Sequence, residues 1–127
     1  MSLEAPQPQG MSRPIAPYSP VIVSDDLVLL SGQIPFDENN TLVSEDFEPQ
    51  ARQVFENIRR CLEAAGCNFE HVLKVTTYLK SFEDFETYNS LYAHYFTAPY
   101  PARTTVQAGL YGFRIEIDAI ARRPEQR

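Results

Sequence analysis

The sequence predicts a single α+β domain in which two helices cover one side of a mixed sheet. Three observations carry this. Apolar residues recur at three- and four-residue spacing over residues 49–65 and again over 82–96, the stripes of two amphipathic helices. Apolar and β-branched runs at 21–31, 71–79 and 103–121 have the composition of strands, the last with a period of two near its end. In chain order the elements read strand, strand, helix, strand, helix, strand, strand, so both helices can lie on one side and the other face is left for a partner.

Residues 1–15 are expected to form a mobile tail. Pro6, Pro8, Pro14, Pro17 and Pro20 make up half of the ten prolines, which excludes a helix before residue 21. Tyr18, between Pro17 and Pro20, is held in an extended backbone and aimed in one direction, and it reads equally as a packing residue. The domain proper is expected over 16–124, with 125–127 as a short tail. Residues 21–23 and 27–31 form two strands around a turn at Ser24-Asp25-Asp26; Leu27-Val28-Leu29-Leu30 is apolar on both faces, which marks the second strand as central. Gly32 at its end lets a backbone or a small ligand come close, or marks a bulge.

The first helix is built on Ala51, Val54, Phe55, Ile58, Leu62 and Ala65, with Glu48 and Pro49 at its start and Gly66 as its stop. A strand follows over 71–79. The second helix, capped by Ser81, presents Phe85, Tyr88, Leu91, Tyr92, Tyr95 and Phe96 on one face, with Asn89 beside them offering an amide to a neighbouring backbone or a ligand. Pro101 removes a backbone donor and pushes Tyr100 toward an extended shape, so the helix stops before it and a strand begins at Arg103. The last strand, over 113–121, places Ile115, Ile117 and Ala119 on one face and Glu116 and Asp118 on the other.

Composition narrows the function. A hydrophobic share of 43% and a charged share of 22% are ordinary for a soluble domain, and no apolar run is long enough to span a bilayer. The formal net charge of -6 repels phosphate backbones, so neither nucleic acid nor a membrane is expected as a partner. Cys61 and Cys67 lack the spacing of a zinc site or a disulfide framework and read as buried, reduced thiols. With no apolar signal segment, that points to the cytoplasm, or to an organelle matrix after removal of a targeting segment. His71 and His94 have no acid, nucleophile or metal partner at motif spacing, and no metal is expected. Arg103 at a strand entrance is either an ordinary surface cation or a planar fork for a carboxylate.

Ser31-Gly32-Gln33-Ile34-Pro35, Ala64-Ala65-Gly66, Tyr88-Asn89, Pro101-Ala102-Arg103 and Ile115-Glu116-Ile117, in that order over residues 17–123, resemble the reactive intermediate deaminase family (Rid, or YjgF). The resemblance implies a chorismate mutase-like fold and a homotrimer with a ligand cleft at each subunit interface. It also implies hydrolysis of small 2-imino acids, such as 2-iminopropanoate and 2-iminobutanoate, to 2-keto acids and ammonia. By the same resemblance Arg103 anchors the substrate carboxylate and Glu116 positions or activates water. Tyr18, Ser31, Gly32 and Asn89 match the family's cleft, and Thr105 stands where many members carry cysteine. The segment between Arg103 and Glu116 is about two residues shorter than in the bacterial archetype, and Ala16 and Pro20 replace an expected glycine and glutamine, which bears on substrate preference.

Geometry independently favours a site between subunits. In a tight hairpin Glu116 would lie opposite Gln107, roughly 13 Å along the strand from Arg103, and with another strand between them the two would again not be neighbours. Imine hydrolysis needs orientation, a held water and a group that accepts and returns protons, so no cofactor is expected. Lys74 and Lys80 are the only lysines and no motif places either beside Arg103, which disfavours a Schiff base. Asp118 would raise the Glu116 pKa if both face one cleft. The rival reading is a non-catalytic sensor that holds a keto acid in the same cleft.

Overall fold

The computed structural model describes residues 3–125. Its elements are β1 (Leu3–Glu4), β2 (Val21–Ser24), β3 (Leu27–Gln33), α1 (Phe47–Ala64), β4 (Val72–Leu79), α2 (Phe85–Tyr95), β5 (Ala102–Gln107) and β6 (Ile115–Arg122), with single 3-10 turns at Phe69–His71 and Phe82–Asp84. They form a mixed sheet of order β1-β2-β3-β6-β4-β5. Every neighbouring pair is antiparallel except β4 and β5. This is the expected α+β arrangement, with both helices on one face.

Alternation of burial explains why the helices choose that face. Val21, Val23, Val28, Val75, Leu79, Ile115, Ile117 and Ala121 point inward and are almost wholly buried, against Val54, Phe55, Ile58 and Leu62 of α1. At roughly 1.5–3 kcal/mol for each large side chain, this layer dominates the stability of the fold. α2 joins it through rings: Phe55 stacks on Tyr95 at 4.3 Å, and Tyr92 stacks on Phe96 at 4.4 Å. On the opposite face Leu27, Leu29, Leu73 and Val106 are more than a third exposed. β3 is central in the sheet, as expected, yet within one chain only one of its faces is covered.

Several boundaries move for local reasons. α1 starts before Pro49, which occupies its first turn, and it ends in a glycine cap: Gly66, at φ 76°, donates to Glu63, and the Cys67 amide donates to Leu62 at 2.8 Å. Ser81 accepts the Glu83 amide at 3.1 Å, so it caps a 3-10 turn and α2 proper begins at Phe85. The final strand begins at Ile115 because Phe113 turns aside to meet Phe36 edge to face at 6.0 Å. β3 runs on to Gln33, with an irregular register against β6 between Leu30 and Gln33. Gly32 sits in that irregularity, which agrees with the bulge reading.

The first segment is placed against the body. Leu3–Glu4 adds an edge strand to β2, Arg123 holds Glu4 at 3.1 Å, and Met11 packs on the core beside Cys61. Prolines forbid a helix there but leave an extended chain that can satisfy the open edge of β2. The ends of both expected tails, residues 1–2 and 126–127, lie outside the described residues.

Candidate active site

The residues singled out in the sequence gather in two places. The first is a cleft of about 380 Å³ at the end of β3, lined by Tyr18, Ser31, Gly32 and Glu116 among others. The Ser31 amide donates to the Pro20 carbonyl at 2.9 Å and its hydroxyl to the Ser19 carbonyl at 2.5 Å, which ties the lead-in segment bearing Tyr18 to the strand. β6 brings Glu116 to the same place. Its neighbours Ile115 and Ile117 are fully buried under the helices, so the pleat sends the Glu116 side chain to the other face. Gly32 makes room for it: a Cβ at Gly32 would overlap the Glu116 carboxylate and lie 3.2 Å from its Cγ.

The surroundings of Glu116 disfavour its charged form. Burial raises its pKa above the ordinary carboxylate value, and the charge of Asp118 on the same face adds to the rise. Tyr78, opposite Glu116 on β4, donates to Asp118 at 3.2 Å. Asp118 is the main cause of the raised Tyr78 pKa, with burial, the hydrogen bond and Glu116 contributing less.

The second place lies across the sheet, between β5 and α2. Arg103 pairs in register with Val75 and Thr105 with Thr77, and both partners are buried on the helix face. The guanidinium lies over three rings, 4.8 Å from the Tyr92 centroid, 5.1 Å from Tyr88 and 5.9 Å from Phe85. Tyr88 is fixed by a short hydrogen bond with the Thr77 hydroxyl. Its pKa is raised by burial, against the opposing influence of Thr77 and Arg103. Tyr92 is also raised, by burial first and then by Tyr88. Around this cradle Asn89 Oδ1, Thr105 Oγ1 and the Tyr92 hydroxyl are buried with no hydrogen-bond partner.

Arg103 and Glu116 therefore face away from each other across one sheet, with β4 between their strands. Tyr18, Ser31 and Gly32 belong with Glu116; Asn89 and Thr105 belong with Arg103. Sequence reasoning missed the Tyr88 and Tyr92 rings that lie under Arg103 and the Thr77 hydroxyl that fixes Tyr88. The tyrosines were visible as helix-stripe residues, but the parallel pairing that sets Thr77 beside Thr105 leaves no mark in local sequence. The two histidines play no part: His71 accepts the Asn68 amide at 2.9 Å in a turn cap, and His94 is exposed at the end of α2. Cys61 and Cys67 are free and buried, and burial pushes the Cys61 thiol up to about 12. Among the described residues there is no cluster able to hold a metal ion, and no helix is long and apolar enough to cross a membrane.

The fold is a single α+β domain with a mixed sheet and two helices, and comparison with known proteins supplies the family. The profile described as Endoribonuclease L-PSP matches residues 10–123. A RutC family protein of Pyrococcus horikoshii is 44% identical over 116 residues, covering 89% of this chain and 92% of its own. The human 2-iminobutanoate/2-iminopropanoate deaminase is 40% identical over 110 residues, covering 84% and 80%. The crystal structure of RidA from an Antarctic Psychrobacter superposes with a TM-score of 0.87 at 33% identity, over 94% of this chain and 98% of that one. This chain belongs to the YjgF/Rid family.

Proposed function

We propose that the protein is a 2-imino acid deaminase that works as a homotrimer, each cleft pairing Glu116 of one subunit with Arg103 of the next. The observation that carries this reading is the separation of the two charges. Among the described residues Arg103 has no ion pair and Glu116 no hydrogen bond or ion pair, yet they sit on opposite faces of one sheet. The partly exposed Leu27, Leu29, Leu73 and Val106 on the helix-free face supply apolar surface for subunit contact.

In the reaction Arg103 grips the substrate carboxylate with two parallel hydrogen bonds, which fixes the imine carbon over the cleft. Glu116 takes a proton from water as its oxygen bonds to that carbon, and the C=N electron pair moves to nitrogen. The same carboxyl returns that proton to nitrogen and then takes the remaining hydroxyl proton as the C=O bond forms and the C–N bond breaks with its electron pair going to nitrogen, and keto acid and ammonia leave. A carboxyl held above its ordinary pKa is a better base for the first step and remains an acid for the second. 2-Iminopropanoate and 2-iminobutanoate, the compounds in the human relative's name, are the substrates proposed here. Two buried free thiols fit a reducing, cytoplasmic setting.

The test measures keto acid released from freshly generated 2-aminoacrylate and 2-aminocrotonate against the spontaneous rate, for the native protein, Arg103→Ala and Glu116→Gln. Acceleration lost in both variants supports the deaminase. Binding of 2-oxobutanoate with no acceleration moves the assignment to the keto-acid sensor, which needs Arg103 but no base. The family's description as an endoribonuclease is less well supported for this chain: the net charge is -6, and neither histidine is placed for acid–base work on a phosphodiester. RNA cleavage by the same preparation that vanished in Arg103→Ala would reverse that judgement.

A further inference from the structure

Of the arginines among the described residues, Arg52, Arg59, Arg60, Arg114, Arg122 and Arg123 each have an ion pair. Arg103 and Arg13 do not. Lys74 and Lys80 have no ion pair either, but Lys74 donates to Thr104 and neither lysine lines the cleft that holds Glu116, so it is the two arginines whose role asks for a reason. Arg103 has one under the function proposed above. Arg13 lines the cleft that holds Glu116, on the lead-in segment that also carries Tyr18.

Four of the other polar side chains of that cleft are occupied. Asp37 Oδ1 accepts the Asn39 and Thr41 amides at 2.9 and 3.1 Å. Asn57 Nδ2 donates to the Ile34 and Phe36 carbonyls at 3.0 Å each, and its Oδ1 accepts from Gln53. Gln33 donates to the Ser31 carbonyl, and the Ser31 hydroxyl to Ser19. Ser12, Tyr18 and Asn40 line the cleft with no side-chain hydrogen bond among the described residues, and beside Asp37, whose carboxylate is held by amides, Glu116 and Arg13 are its charged groups. The cleft of about 380 Å³ is open to solvent on one side, where the adjacent subunit would bring Arg103, and Arg13 stands on its lining with Glu116.

We propose that Arg13 reads an acidic group at the far end of the substrate, so that the preferred class is 2-imino dicarboxylic acids such as 2-iminosuccinate and 2-iminoglutarate. This rests on the deaminase reading: Arg103 from the adjacent subunit takes the carboxylate next to the imine, Glu116 handles water, and Arg13 takes the distal carboxylate. A guanidinium suits that task because its planar fork matches a carboxylate and it stays charged at every working pH. A short apolar imine leaves Arg13 solvated and gains nothing from it.

The experiment is a ratio. kcat/KM is measured for 2-iminosuccinate and 2-iminobutanoate, each generated in situ, with native protein, Arg13→Gln and, as a control, Arg52→Gln on the outer face of α1. In parallel, calorimetry measures binding of the stable probes 2-oxoglutarate and 2-oxobutanoate. The expected result is a preference for the dicarboxylic compound of about tenfold or more in native protein and in Arg52→Gln, falling to near unity in Arg13→Gln, in both assays. The preference should also shrink as salt is raised, because Arg13 is exposed. Turnover or binding that depends on Arg103 but shows the same ratio with and without Arg13 overturns this inference and leaves the deaminase or sensor standing. No turnover, with no Arg103-dependent binding of either probe, overturns both. Arg13 lies on the surface of an extended segment, and an unchanged melting temperature will show that the variant folds.

Discussion

The two halves of the proposed site solve opposite electrostatic problems. On the α2 side, Arg103 rests on the faces of Tyr88 and Tyr92 and has no ion pair among the described residues. A fixed cation on aromatic faces keeps its charge available for a ligand while its stem is held. On the β3 side, Glu116 is half-buried and next to Asp118, so its charge is made harder to hold. One half is built to keep a charge and the other to gain and lose one. The two charged residues lie on opposite faces of one sheet, and under the proposed function binding and proton transfer are divided between those faces and joined by a second subunit.

The strongest way to break that division is to mix Arg103→Ala and Glu116→Gln subunits after unfolding each. Either alone is expected to be nearly inactive, down by about a hundredfold or more in kcat/KM. Hybrids should regain activity at about a quarter of the sites, since each site draws one residue from each of two subunits at random. No regain, with trimers verified by mass, ends the shared-site arrangement. A smaller effect separates the roles: Glu116→Gln should lower kcat by about a hundredfold while 2-oxobutanoate binds within about twofold of native. Arg103→Ala should weaken that binding itself. Equal binding losses in both would erase the contrast.

Gly32→Ala sharpens the Glu116 half. The new Cβ must displace the carboxylate at the end of the flexible Glu116 side chain, so a loss of about tenfold in kcat with a destabilisation under about 1 kcal/mol by chemical denaturation is expected. The pH dependence follows from the raised Glu116 pKa. The acid limb of kcat/KM should titrate above the ordinary carboxylate value of 4.5 and disappear in Glu116→Gln. Stability carries the opposite sign to a typical carboxylate: the folded state holds this proton more tightly, so the contribution of Glu116 is fullest below the unfolded pKa and is lost as pH rises through the raised folded value. Glu116→Gln should therefore flatten the stability profile just above pH 4.5. The smallest effect belongs to Tyr92→Phe, which removes a buried hydroxyl without a partner and keeps the ring under Arg103. Its melting temperature should stay the same or rise slightly.

Much of this architecture was legible before any coordinates. The α1 stripe and its Gly66 stop, the period of two in β6 and the Pro101 break each express a local rule, and each reappears within a residue or two. The hidden parts were non-local. β4 between β5 and β6 cannot be read from a chain in which residues 103–121 resemble a hairpin. The docking of residues 3–11 against β2 and α1 was masked by their prolines, which speak against a helix but not against an extended strand.

The sequence by itself determined which segments become helix or strand and which faces turn inward, and it presented an arginine after Pro-Ala and a glutamate between isoleucines, to which the family resemblance attached the proposed chemistry. Those properties depend on residue type and spacing within a few positions. Only the tertiary structure decided that Arg103 and Glu116 lie on opposite faces, that Gly32 is small because Glu116 needs the space, and that Arg13 shares the cleft. Those relations arise from strand order and from pairings between residues far apart in the chain, whose energies local pattern does not record.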